Sequence, residues 1–247
     1  MGKKELAYLI LLGMTGVFSY NFFFFKGLSL IQAGRASLII ANNPIAIALL
    51  SAVFFHEKLN SIKLTGIVLS VTGAVIAISR GNPVELMAGG LGRGDLYIFF
   101  CVVSWVAYTL IGKRVLQSLS PIAAVTYSAA IGAALLLVPA LHEGMLSAMQ
   151  SYTAADWISI FYLAFFGTVL AFIWYYEGIS KIGAAQAGLF INFVPISAIL
   201  LAFFILDEPI TISLGIGVCL VTTGVYLTSI GGKCRRIALK SRPRRLY

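Results

Sequence analysis

Three amides and two aromatic side chains stand where polar chemistry is least expected in this sequence. Asn42, Asn43 and Asn192 lie well inside long apolar runs. A polar group deep in hydrocarbon is costly, and it is kept either to bond a neighbouring helix or to meet a solute. Trp105 and Tyr108 also lie deep within a run, three residues apart and so on one helical face. They can offer flat apolar surface together with one N–H and one O–H. Pro44 and Pro195 stand beside the asparagines; with no N–H and a ring that crowds the preceding turn, each loosens a helix and creates either a kink or a hinge for gating. These seven residues are the candidate site: Asn42, Asn43, Asn192, Trp105 and Tyr108 as solute contacts, Pro44 and Pro195 as hinges.

Other polar and aromatic positions have plainer readings. Tyr20, Trp174, Tyr175 and Tyr176 lie near run ends, where an interfacial aromatic belt is the default. Glu57 and Glu208, at run ends, suit turns or helix caps. Lys26 and Glu177 suit gating or snorkelling to the interface. No catalytic constellation is visible: His56 and His142 fall on opposite faces of the expected topology, and aspartate occurs only at 95, 156 and 207, all at run ends. Cys101, Cys219 and Cys234 lack metal-ligand spacing, and no phosphate-binding glycine loop is present. The sequence therefore suggests no catalytic residue, no metal and no cofactor. A membrane-embedded enzyme, or a structural or receptor membrane protein, is the alternative class.

The elements that must position these residues follow from composition. Of the 247 residues, 60% are hydrophobic and 11% charged, with a mean hydropathy of +0.95, too little polar surface to coat a soluble globule. Apolar runs long enough to cross about 30 Å of hydrocarbon lie near 6–25, 36–55, 62–79, 95–112, 121–141, 157–176, 186–206 and 210–230. They lack the in/out alternation of barrel strands, and a helix satisfies its own backbone in lipid. The expected fold is an all-α, polytopic membrane bundle of eight spans. The opening residues resemble a secretory signal, but the long apolar stretch and the lack of a small-residue cleavage site favour a retained span.

The net charge of +9 is unevenly distributed. Counting alternate sides from the N-terminus, fourteen Lys and Arg fall on one side and four on the other. The bias toward cytoplasmic basic residues then places both termini inside, in a cell (inner or plasma) membrane. The basic segment 233–247 reads as a cytoplasmic tail facing anionic lipid rather than nucleic acid.

A shift of 151 positions superimposes the first three runs on the last three without a gap. Pro44, Glu57, Gly66 and Gly73 fall on Pro195, Glu208, Gly217 and Gly224, giving P-x12-E-x8-G-x6-G twice. Gly66, Ser70, Gly73 and Ala77, with Gly217 and Gly224, form small-residue stripes suited to close helix packing. The first copy starts inside and the second outside, so the repeat is inverted, a building plan common among alternating-access transporters with the substrate near the midplane between copies.

With this repeat, and with Ser104-Trp105-Val106-Ala107-Tyr108 followed by Lys113-Arg114, the chain resembles the drug/metabolite transporter superfamily, specifically the EamA type. The resemblance covers most of the chain. It implies ten spans in two inverted five-helix halves and export of amino acids and other small metabolites. The chain is read accordingly as a first, incomplete repeat of three spans (1–81), a second repeat of five (95–232) and the tail (233–247), without the first two of the ten spans. The expected partners are a small-molecule substrate and membrane lipid; pairing with a second copy is left open.

Overall fold

The computed structural model describes residues 3–31, 33–56, 60–79, 82–87, 91–194, 196–197, 204 and 211–240. In order the elements are α1 (Lys3–Leu12), a π-helical segment (Gly13–Ser19), α2 (Tyr20–Leu28), α3 (Ala33–Ile40), α4 (Asn43–Phe55), α5 (Ser61–Ile78), α6 (Pro83–Met87), α7 (Arg93–Val115) and α8 (Pro121–His142). There follow α9 (Met145–Met149), α10 (Ala154–Tyr162), a second π segment (Leu163–Leu170), α11 (Ala171–Ile182), α12 (Ala184–Leu189), a 3₁₀ turn (Phe190–Asn192) and α13 (Ile212–Lys240). Every regular element among the described residues is helical. Among the described residues, five continuous stretches are long and apolar enough to cross a membrane: Lys4–Leu28, Ser61–Ile78, Arg93–Val115, Pro121–His142 and Ala154–Ile182. Asn43–Phe55 and Ile212–Thr228 are shorter apolar helices. The fold is an all-α polytopic bundle, and much of the expected span at 186–206 lies outside the described residues.

Local sequence explains three helix starts. Asn60 and Ser120 cap α5 and α8 by accepting the N–H groups of Lys63 and Ala123. Thr153 and Asp156 form a reciprocal capping box at the start of α10. The expected span 36–55 is not continuous: it breaks between α3 and α4, because Pro44 has no N–H and the chain tightens into shorter-range bonds there. Asn42 N–H donates to the Ile39 carbonyl at 3.2 Å, and Ile45 N–H to Asn42 at 3.1 Å.

The chain forms two compact units, each drawing spans from both sequence halves. In the first (Met1–Leu30 and Arg93–Ala184), the N-terminal span packs against α7 and α8. Gly13, Gly16 and Gly132 are packed so closely, against Ile131, the Tyr108 ring and Val17, that a Cβ at any of them would collide. The span Ala154–Ile182 is sparsely covered: 6% of its apolar stretch is buried, against 56% for Arg93–Val115. The 151-residue register makes Ala164, Gly167 and Thr168 the counterparts of Gly13, Gly16 and Val17, yet a Cβ at Gly167 would reach only its own helix's Leu163. The two π segments also fall on each other in this register. At the rim of this unit Lys26 pairs with Glu143 at 2.7 Å, and Glu177 pairs with Lys181 at 2.8 Å.

In the second unit (Ile31–Gly92 and Ala185–Tyr247), α5 and α13 form the main contact. Gly66 lies on the Gly224 carbonyl and Gly73 on the Gly217 carbonyl, where added Cβ atoms would stand 2.6 and 2.8 Å away. These two contacts exchange under the repeat register, since Gly66 corresponds to Gly217 and Gly73 to Gly224. They also run in opposite sequence directions, so the helices are antiparallel. Backbones this close gain van der Waals contact that larger side chains would prevent. Ala74, Ala77, Leu189, Leu214 and Val221 fill the core around them.

Candidate functional site

In the first unit Trp105 and Tyr108 sit together, as their spacing requires, with ring centroids 5.6 Å apart. They belong to a larger aromatic cluster. Tyr20 lies 5.0 Å from Trp105, and Phe172 and Tyr175 each 5.3 Å. Tyr176 stacks on Tyr108 at 4.8 Å. The belt expectation for Tyr20, Tyr175 and Tyr176 is corrected accordingly: Tyr176 is fully buried, whereas Trp174 points outward at 67% exposure. Nearness to a run end reports depth but not azimuth, and Phe172, Tyr175 and Tyr176 share the inner face through their i, i+3, i+4 spacing.

Small residues make room for these rings. Gly16, in the first π segment, lies beneath the Tyr108 ring, and Gly112 lies against Tyr176. Single-turn π bulges often mark functional positions in helices. The cluster's hydrogen bonds are incomplete. Tyr176 donates to the Tyr108 carbonyl at 3.1 Å, and Tyr175 shares a 2.9 Å bond with Thr109. The Trp105 indole N–H and the Tyr108 hydroxyl are buried with no hydrogen-bond partner, although the hydroxyls of Tyr175 and of Tyr176 and Ser128 are near them.

In the second unit Asn43 and Asn192 are 2% and 1% exposed. Asn43 opens α4, and Asn192 closes the 3₁₀ turn. Asn192 donates from Nδ2 to Ser70 Oγ at 3.0 Å. The Oδ1 atoms of both Asn43 and Asn192 are buried without a partner. Asn42 is turned outward, its amide reaching the Ile39 carbonyl at 3.4 Å. Pro44 is buried in the first turn of α4 rather than within a continuous helix. Pro195, Glu57 and Glu208 lie outside the described residues.

Among the described residues, the buried side-chain polar atoms with no hydrogen-bond partner belong to Asn43, Trp105, Tyr108 and Asn192. Buried polar groups are nearly always paired, so each exception calls for an explanation. All four residues are sequence candidates. Tyr20, Phe172, Tyr175 and Tyr176 were not, and the helical spacing of the last three was the available signal.

Comparison with known proteins supplies the family. The EamA-like transporter family model matches residues 2–79 and 92–230. The chain is 30% identical to the uncharacterized transporter YyaM of Bacillus subtilis over 92% of its own length and 74% of that protein. It is 30% identical to the uncharacterized transporter YetK of the same organism, over 94% and 70%. An uncharacterized transporter of Archaeoglobus fulgidus is 29% identical over 91% and 78%. A solved crystal structure shares the fold with a TM-score of 0.73, at 23% identity, over 92% of this chain and 77% of that one. With its apolar helices and its matched halves, this chain belongs to the EamA-like transporter family and is a multi-pass membrane transporter.

Proposed function

We propose that the protein exports small neutral or zwitterionic metabolites, amino acids among them, across the cell membrane by alternating access between inverted repeats, with both termini in the cytoplasm. The observation that carries this reading is the coincidence of unsatisfied buried atoms with sequence-selected residues: Asn43 Oδ1, Asn192 Oδ1, Trp105 Nε1 and Tyr108 Oη. Leaving a buried polar atom unpaired costs about 1–3 kcal/mol, a cost that a bound solute would relieve. No Asp, Glu, Lys or Arg occurs in either cluster, which favours solutes without excess charge. In this reading Trp105 and Tyr108 offer apolar faces and one donor each, Asn43 and Asn192 offer acceptors, and the break at Pro44 lets α3 and α4 move separately.

The two π segments in register and the exchangeable glycine contacts of α5 and α13 support the inverted repeat. The open face at Ala164, Gly167 and Thr168 is where two further spans, equivalent to α7 and α8, would pack. Reconstitution of the purified protein into vesicles tests the function. Saturable flux of a neutral or zwitterionic solute above that of protein-free vesicles is expected, and flux restricted to multiply charged solutes would overturn the reading.

A further inference from the structure

The polar patch in the second unit leaves acceptors open. Asn43 and Asn192 each leave an acceptor oxygen unpaired while almost fully buried. The backbone beside them adds more acceptors. The Ile40 carbonyl would ordinarily receive the N–H of residue 44, but that residue is proline. The Ala41 carbonyl would ordinarily receive Ile45 N–H, which bonds Asn42 instead. Helix breaks of this kind supply carbonyl ligands for ions in transporters.

Each amide also stands about one turn from a contact between the two segments. Ile47 of α4 lies against Gly188, whose added Cβ would stand 3.0 Å from it, and α4 also meets the turn Phe190–Asn192. One helical turn back from Ile47 is Asn43, and one turn on from Gly188 is Asn192. The C-terminal dipole of α3 and the N-terminal dipole of α4 meet at the break and offset each other, so the oxygens set the sign of the site.

We propose that Asn43 Oδ1, Asn192 Oδ1 and the carbonyls of Ile40 and Ala41 form a site for a small monovalent cation, either an inorganic ion or the ammonium group of a solute. This rests on the reading of these amides as ligand contacts and adds the charge of the ligand. Neutral acceptors suit a single charge that must enter and leave, whereas a buried carboxylate would hold it too firmly.

The test is binding to the purified full chain by thermal unfolding, in choline chloride exchanged at constant ionic strength for sodium chloride or methylammonium chloride. At a tenfold excess over Kd a ligand specific to the folded state raises the folded-to-unfolded ratio about elevenfold, a Tm rise of a few degrees. A saturable rise with sodium alone identifies an inorganic ion, and a rise with methylammonium alone identifies a solute amine. Asn43→Leu and Asn192→Leu should abolish the shift, while Asn43→Asp should reach it at concentrations at least about tenfold lower. Asn43→Ser, which keeps a smaller polar oxygen in the first turn of α4, serves where the leucine variants do not fold and should need more ligand. No shift beyond choline for either cation, or a shift unchanged in the Leu or Ser variants, overturns the site. The readout is binding: flux without a shift removes the cation site alone, and a shift without flux of any solute removes the transport reading alone.

Discussion

Asn192→Ala separates a solute contact from a packing contact. In the folded protein Asn192 donates one bond to Ser70 and leaves its own oxygen unpaired. Alanine forfeits that bond, which between membrane helices averages about 0.6 kcal/mol and reaches about 1.7. It also removes the unpaired oxygen, whose burial costs about 1–3 kcal/mol. The two effects oppose each other, so stability should fall by no more than about 1 kcal/mol, or about 2–4 °C in Tm for a chain of this size. A group that contacts the solute has no such compensation in transport. Loss of one hydrogen bond to a charged or strongly polar solute group, about 1.5–3 kcal/mol, corresponds to a fall of roughly ten- to a hundredfold in kcat/KM. The assay pairs uptake of labelled solute into proteoliposomes with unfolding of the same preparation. A Tm loss of several degrees with normal transport by the surviving folded fraction would refute the assignment and leave Asn192 as a helix-packing residue.

Trp105→Phe keeps the aromatic contacts of Tyr20, Phe172 and Tyr175 but deletes the unpaired N–H; transport should fall about tenfold with Tm nearly unchanged, measured in the same paired assay. Gly73→Leu places side-chain atoms against the Gly217 carbonyl and Val221 N–H, 2.8 and 2.9 Å from the first added carbon, and should cost about 3 kcal/mol or prevent folding, seen as loss of a monodisperse peak in size-exclusion chromatography. In a background without native cysteines, Ser151→Cys should react with a membrane-impermeant maleimide on intact cells, and Ser118→Cys only after permeabilisation. The two positions flank α8, whose 22 residues span about 33 Å. The reverse pattern would invert the proposed topology.

The parts of this protein that rest on rare residues were legible before any coordinates. Proline and glutamate are sparse punctuation in an apolar chain, so their recurrence with glycine at a fixed interval exposed the repeat, and the stripe Gly66, Ser70, Gly73 correctly suggested close packing. Asn43, Asn192 and the Trp105–Tyr108 pair were singled out because burial of polar atoms in lipid is costly enough to leave few of them, a rule that did not separate them from the outward-turned Asn42. Azimuth was harder. Tyr20, Tyr175 and Tyr176 sit near span ends, and only neighbours on other helices decide whether such a ring faces lipid or protein. At Pro44 the sequence offered a kink or a hinge within one span, since a proline announces a lost hydrogen bond without saying whether the helix bends or restarts. The π segments left no trace in the pattern, because an apolar helix surrounded by lipid has no polar face to record its period. Nor could linear order show that each compact unit takes spans from both halves.

On the proposed function, the unsatisfied buried atoms of this transporter are solute contacts. The most direct test is flux through proteoliposomes for a panel of neutral, zwitterionic and multiply charged metabolites, with the wild-type chain compared with the double variant Trp105→Phe/Asn192→Ala. The account predicts saturable wild-type flux of at least one neutral or zwitterionic solute, reduced more than tenfold in a double variant that unfolds at nearly the same temperature. Undiminished flux in the double variant, or wild-type flux only of multiply charged solutes, would contradict it.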